Sequence, residues 1–386
     1  MSDSDKGSAK AARPLRYRRI VAKLGTNLLT AGSDRLDLDA MSSLVGQVAR
    51  LHGMGAEVIL VSSGAIAAGR QRLGHVRARR DIPMRQVLAA AGQSHLMQRY
   101  DQLFSEHGMV AAQTLLSRRD LSDRVGYLNA RNTLLALLEL GAVPIVNEND
   151  VVAVEEIEGA KIGDNDNLSA LVANLVDADL LALLTDTPGL YTADPRLDPS
   201  AKPIPRVDRI DEEVERLAGG PSHPGERGTG GMTTKIQAAR LATSGGTAVV
   251  IAGGSETDVL VRLAQGESLG TLFPPQVEGM ESRKRWMLSR LGVRGRIVVD
   301  AGAARALRRD RKSLLPAGVV EVDGTFERGE AVDICGPDGE RIACGIANYG
   351  REEVEAIRGL RSERIEATLG YEFGSEVVHR NNLVLL

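Results

Sequence analysis

Residues 57–64 read EVILVSSG, and this stretch decides the fold class. Its apolar core, Val58-Ile59-Leu60-Val61, has no polar alternation, which marks a strand buried on both faces rather than one with a wet side. It stops at Ser62-Ser63-Gly64. The same figure returns along the chain. IVA at 20–22 breaks at Lys23-Leu24-Gly25-Thr26, AVPIV at 142–146 ends in Asn147-Glu148-Asn149-Asp150, and LLALL at 180–184 ends in Thr185-Asp186. Residues 109–116 and 247–252 add two further strands. Helical patterns lie between them. Met41, Leu44, Val45 and Val48 recur at helical spacing before Gly53 and Gly55, and 83–106, 127–140, 168–176 and 234–244 read the same way. Continuous apolar strands alternating with amphipathic helices predict an α/β fold with a mostly parallel sheet covered on both faces.

The rhythm changes near residue 275. Residues 281–312 carry 11 Lys/Arg against three acids. Short strand patterns follow at 318–322, 331–334 and 341–344, with turn signals at Asp323-Gly324 and Pro337-Asp338-Gly339. The predicted organisation is a disordered extension over 1–18, an α/β domain over 19–273, a linker over 274–282, and a small β-rich domain over 283–386.

Composition narrows the function. The chain has 386 residues and a formal net charge of −3, which argues against a protein that coats nucleic acid or a membrane surface as a whole. Two cysteines, Cys335 and Cys344, cannot build a disulfide framework or a four-cysteine zinc site; they are expected as small apolar residues on a hairpin. The first residues are basic with no apolar stretch behind them, so no secretory signal is read, no segment is long and apolar enough to span a bilayer, and a cytoplasmic location is expected. Glycine is abundant at 42 residues and aromatics are scarce at 3%, which suggests many places where backbone turns tightly or approaches a ligand.

Ligands of open α/β sheets bind beyond the carboxyl ends of the strands, so the polar strand ends are the candidate site. The richest loop is GTGGMTTK at 228–235, which opens into a helix. Successive backbone N–H groups and the helix dipole suit a phosphate there, and Lys235 in the first turn opposes that dipole unless an anion compensates. The other reading of this loop is a flexible glycine segment with a surface lysine. It does not fit the Walker A pattern, and no G-x-G-x-x-G follows the first strand, so neither a P-loop NTPase nor a dinucleotide enzyme is supported. Asp164-Asn165-Asp166-Asn167 supplies four Asx residues where one helix cap needs one. The six histidines show no metal-ligand spacing, no metal-binding residues are assigned, and no G-x-S-x-G elbow occurs.

Taken in order, VAKLGT (21–26), SSGAIAAG (62–69), NEND (147–150), IGDNDNLSA (162–170), LLTDTPGLYTADPR (183–196) and GTGGMTTK (228–235) resemble the glutamate 5-kinase family of the amino acid kinase superfamily. RKRW (283–286) and GTFERGEAVDI (324–334) resemble the PUA domain appended to many of its bacterial members. The resemblance implies a three-layer αβα sandwich and phosphoryl transfer from ATP, accompanied by Mg²⁺, to the side-chain carboxylate of L-glutamate, the first step of proline biosynthesis. It implies that Lys23 and Lys235 contact the ATP phosphates and stabilise the transition state, and that Asp166 holds both lysines. Ser63, Asp150 and Asn165 would bind glutamate. Thr185 and Asp186 would line the ATP site, with Thr229, Gly230, Gly231, Met232, Thr233, Thr234 and Lys235 around the phosphates. The metal would be bound mainly through the nucleotide.

The family further implies feedback inhibition by proline, a homodimer or tetramer, and hand-off of the product to glutamyl phosphate reductase. The loop at 151–162 departs from the family by its length and its cluster of Glu155, Glu156 and Glu158. Another acceptor on the same fold (acetylglutamate, aspartate, carbamate or a nucleoside monophosphate) is the first alternative. RNA binding through the second domain is the other, which a net charge of +1 over 281–386 and a single aromatic in the basic run, Trp286, do not favour.

Overall fold

The computed structural model describes residues 13–74, 82–152, 165–219, 231–276 and 292–386. Seven strands form the first sheet: β1 (Arg19–Leu24), β2 (Glu57–Ser62), β3 (Ala111–Leu116), β4 (Val143–Glu148), β5 (Leu180–Thr185), β6 (Ala248–Gly253) and β7 (Thr271–Phe273). Their order is β3-β4-β2-β1-β5-β6-β7, with every pairing parallel except β6 with β7. Among the described residues ten helices accompany them: α1 (Thr26–Thr30), α2 (Leu38–Gly53), α3 (Ala65–Leu73), α4 (Ile82–Ser105), α5 (Arg118–Ser122), α6 (Arg124–Glu139), α7 (Asn165–Leu175), α8 (Glu212–Ala218), α9 (Met232–Ser244) and α10 (Val259–Ala264).

Side-chain alternation along the strands makes two cores. Ile20, Ala22, Leu24, Val58 and Leu60 face one side, where α2, α4 and α10 pack. Val21, Ile59, Val61, Leu181 and Leu183 face the other, under α6, α7 and α9. The result is the expected three-layer sandwich. Burying both faces explains why the strands carry unbroken apolar runs.

A second sheet of five strands follows: β8 (Val293–Val299), β9 (Val319–Gly324), β10 (Ala331–Cys335), β11 (Arg341–Ile346) and β12 (Leu383–Leu385), in the order β12-β11-β10-β8-β9. It has its own core, centred on Ile297, Val322, Phe326, Ile334 and Tyr349. Cys335 and Cys344 are buried free thiols on the β10–β11 hairpin. No described helix is long and apolar enough to cross a membrane.

Four details differ from the sequence reading. Lys23 and Leu24 lie inside β1 rather than after it, because strand pairing to β2 and β5 continues through Leu24. Helix α7 begins at Asn165, so Asn165 and Asp166 occupy its first turn instead of preceding it. The turn at Asp323-Gly324 does not join a hairpin to β10; β9 pairs with β8, and β8 lies between β9 and β10. Residues 13–18, expected with the disordered extension, are held: the Arg16 and Tyr17 amides both donate to the Ala264 carbonyl, and Leu15 and Tyr17 pack on the first core. The rest of that extension, most of the 151–162 loop, Thr229 and Gly230, and Trp286 with the start of the basic run lie outside the described residues.

Candidate active site

One strand and two helix starts meet at one acidic residue. Lys23 shares the parity of Val21, so its side chain leaves β1 on the α7 face. There its Nζ lies 2.6 Å from Asp166 Oδ1. Lys235, one turn into α9, brings its Nζ to 3.4 Å from Asp166 Oδ2, and the Thr234 hydroxyl stands 2.9 Å from the same oxygen. Asp166 is fully buried, and the two lysines are only 6% and 5% exposed. Burial alone would raise the Asp166 carboxyl, but Lys23, Lys235 and the Thr234 hydroxyl outweigh it and hold it down at about 2. The reading of Lys235 as a surface lysine therefore falls away. Asp166, not only a bound anion, compensates its place near a helix N-terminus.

Backbone geometry keeps this end of the sheet open. A Cβ on Gly25 would stand 3.3 Å from the Leu184 carbonyl, a tight contact that glycine avoids. Gly64 follows Ser63 at φ +103°, a conformation that suits glycine, and it starts α3. Gly231 caps α9 without a side chain, leaving the first-turn amides of that helix for a ligand.

A second cluster sits beside the first. Asn165 Nδ2 donates to Ser63 Oγ and to Asn147 Oδ1, both at 3.0 Å, and lies 3.4 Å from the Ser62 carbonyl. A carbonyl only accepts, so that contact fixes which end of the Asn165 amide is nitrogen. The polarity then propagates: Asn147 Nδ2 donates to Gln93 Oε1 at 2.9 Å. Two amide atoms remain. Gln93 Nε2 and Asn165 Oδ1 are buried without a hydrogen-bond partner among the described residues. Below them the Ser62 hydroxyl and Tyr100 OH share a hydrogen bond of 2.7 Å; burial raises that phenol, so it stays neutral. Asp150 lies half-buried in the turn after β4, three residues beyond Asn147.

On the opposite side, Thr185 Oγ1 donates to Asp186 Oδ1 and Asn27 Nδ2 to Asp186 Oδ2, each at 3.0 Å. Burial pulls Asp186 up, but these hydrogen bonds hold its carboxyl below its ordinary range. Both residues line a cleft of about 1050 Å³, with Asn27, Asp37, Arg196 and Gly254 on its other walls. The Thr233 hydroxyl turns away from the site to donate to the Ala218 carbonyl at 3.0 Å, so only its amide is left for a ligand. Among the described residues, no group of three or more His, Cys, Asp or Glu is arranged to hold a metal.

The structure thus joins Lys23, Asp166, Thr234 and Lys235 in one cluster, Ser63 and Asn165 in another, and Thr185 and Asp186 at the cleft. Sequence reasoning missed Asn27, which directly follows the VAKLGT stretch, and Gln93, which sits inside a helical pattern with nothing to mark it. Asn147 stood in the NEND stretch without an assigned role.

A buried carboxylate between two lysines, on a parallel sheet whose glycine turns open onto a cleft, defines a phosphoryl-transfer enzyme of the amino acid kinase type. Residues 18–253 match the model of the amino acid kinase family, and residues 295–369 match that of the PUA domain. The chain is 55% identical over 370 residues to a glutamate 5-kinase of Dehalococcoides mccartyi, across 96% of this chain and 99% of that protein. Glutamate 5-kinases of Herpetosiphon aurantiacus (54% identity, 95% and 98% coverage) and Deinococcus radiodurans (50%, 95% and 100%) are similar over the same span. The chain belongs to the glutamate 5-kinase family.

Proposed function

We propose that the chain transfers the γ-phosphoryl group of ATP to the side-chain carboxylate of L-glutamate, giving ADP and L-glutamyl 5-phosphate, the first step of proline biosynthesis. The observation that carries this reading is Asp166 holding Lys23 and Lys235 in one buried cluster. A carboxylate is already a nucleophile, so the site needs no general base. An oxygen of the glutamate side chain attacks the γ-phosphorus, the bond to the ADP oxygen breaks, and negative charge spreads over the transferred group. Lys23 from β1 and Lys235 from α9 supply positive charge to it. Asp166, ionised at neutral pH, moves no proton; it fixes the two ammonium groups in place.

The second cluster suits an amino-acid acceptor. Gln93 Nε2 is a buried donor and Asn165 Oδ1 a buried acceptor, which matches the α-carboxylate and α-ammonium of glutamate. Ser63 and Asn165 would bind the acceptor, with Asp150 as a partner for its ammonium group. The cleft beside Thr185 and Asp186 would take the nucleotide, and residues 229–235 its phosphates. Mg²⁺ would accompany ATP, held mainly through the phosphate oxygens of the nucleotide and water. Its contribution when bound is to neutralise charge on the β- and γ-phosphates. Proline feedback, a dimeric or tetrameric assembly and hand-off to glutamyl phosphate reductase rest on family membership alone and belong to the same proposal.

Glutamate-dependent ADP release tests the reading. The parent chain should turn over with glutamate, and Lys235→Ala should lose about 10²–10³-fold in kcat, roughly 3–4 kcal/mol of transition-state stabilisation. Turnover of the variant near the parent's would remove Lys235 from the mechanism.

A further inference from the structure

Arg131 lies on α6, away from the phosphoryl-transfer cluster, and its guanidinium is fully buried. Its partners come from two domains. Toward the kinase domain, Nη1 donates to the Leu175 carbonyl and Nη2 to Asp177 Oδ2 at 2.6 Å. Toward the PUA domain, Nε donates to Asn382 Oδ1 at 2.6 Å and Nη2 to the Asn381 carbonyl. Asn382, itself fully buried, returns Nδ2 to Asn132 Oδ1 on α6 at 3.0 Å.

The residues on the kinase side are the C-terminal end of α7. Leu175 is its last residue, and Asp177 follows two positions on. Asp177 adopts φ +53°, the left-handed conformation in which glycine is the ordinary residue after a helix. A side chain that tolerates this backbone at some cost, and whose carboxylate is buried against Arg131, ties the helix end to a defined point. The other end of α7 carries Asn165 and Asp166. Eleven helical residues form a rod of about 16 Å, short enough to move as one body. The surroundings of Arg131 are tight as well. Leu128 of α6 packs with Ala331, Cys344, Ile346 and Val384 of the second domain, and Arg124 pairs with Glu330 across the same seam.

We propose that the C-terminal segment of the PUA domain is a positioning element of the kinase site. Asn381 and Asn382, acting through Arg131, fix the far end of α7 and so set where Asn165 and Asp166 stand; this rests on the roles given to those two residues above. Lys23 meets Asp166 at 2.6 Å, a contact that a small shift of the rod would open. Misplacement of about 1 Å can cost on the order of 10²-fold in rate.

The test is Asn382→Leu in the full chain, which removes the acceptor at Arg131 Nε. Hydrogen exchange should show faster exchange across α7, with α2, on the opposite face of the sheet, unchanged. The glutamate KM should rise about ten-fold and kcat fall several-fold, with the ATP KM within about two-fold of the parent's. Asn382→Asp, which keeps the acceptor, should restore α7 protection. Unchanged exchange in α7 together with unchanged glutamate KM in Asn382→Leu would overturn the proposal. Should that variant not accumulate as folded protein, the parent chain still decides. In mild denaturant α6, α7 and the residues around Asn382 should open in one step, and separate opening would refute the coupling. Exchange is read without turnover, so a parent chain inactive on glutamate would fail the functional reading while leaving this test standing.

Discussion

At the residue scale Asp166 is the hub of the site. Its fully buried carboxylate lies between two buried ammonium groups, so removing its charge leaves two buried cations facing each other. Asp166→Asn should therefore abolish glutamate-dependent turnover and destabilise the fold by about 3–5 kcal/mol, measured by denaturant unfolding. The pH dependence follows from the carboxyl's position at about 2 against an ordinary 3.8. A depressed carboxyl stabilises the fold above its ordinary value and loses that contribution as pH falls through its folded one. The stability deficit of Asp166→Asn should be level from about pH 7 to pH 5 and should shrink only as the pH drops from about 4 toward 2. A deficit that changed near neutrality would assign the carboxyl another environment. Gln93→Leu tests the acceptor cluster: loss of a buried donor to a ligand carboxylate should raise the glutamate KM by about ten-fold or more, with the ATP KM unchanged. Equal shifts in both would place Gln93 elsewhere. Lys23 and Ser63 could be found from sequence because they follow apolar runs, Asn165 because it stands in a cluster of four Asx residues, and Lys235 because it ends a glycine-rich loop that opens a helix. Gln93 could not, because its role depends on Asn147 and Asn165, which reach it only through folding.

At the element scale, two helices show what a glycine count hides. A Cβ on Gly92 would lie 1.8 Å from the Ala65 carbonyl, and one on Gly69 1.9 Å from the Leu88 carbonyl, so α3 and α4 cross with backbone against backbone. That crossing sets Gly92, the residue before Gln93, against the first residue of α3, Ala65. Gly92→Ala should push the helices apart, lowering stability by about 1–3 kcal/mol as overpacking does and raising the glutamate KM. Unchanged thermal unfolding and KM would show that the crossing yields easily. The strands were legible because burial on both faces leaves an unmistakable apolar run, as in EVILV and LLALL. Less legible were places where tertiary contacts decide: β1 extends through Lys23 because its neighbours pair that far, and β9 prefers β8 over the hairpin its turn suggested.

At the scale of the whole molecule, the second domain is not a loose appendage. Arg131, Asn382 and the Leu128 seam join it to α6, and α6 leads into β4 and the Asn147–Asp150 turn. Nothing in the sequence announced this, because a buried arginine on an amphipathic helix reads as a surface charge until its partners are known. Phosphorylation of a carboxylate acceptor gives an acyl phosphate, and acyl phosphates react with hydroxylamine to give stable hydroxamates. The most direct measurement is hydroxamate formation by the full chain with ATP, Mg²⁺ and hydroxylamine, run in parallel with glutamate, acetylglutamate, aspartate and a nucleoside monophosphate. A γ-glutamyl hydroxamate should form with glutamate, in step with ADP release, and be lost in Lys235→Ala. ADP release with another acceptor and no hydroxamate from glutamate would contradict glutamate as the acceptor.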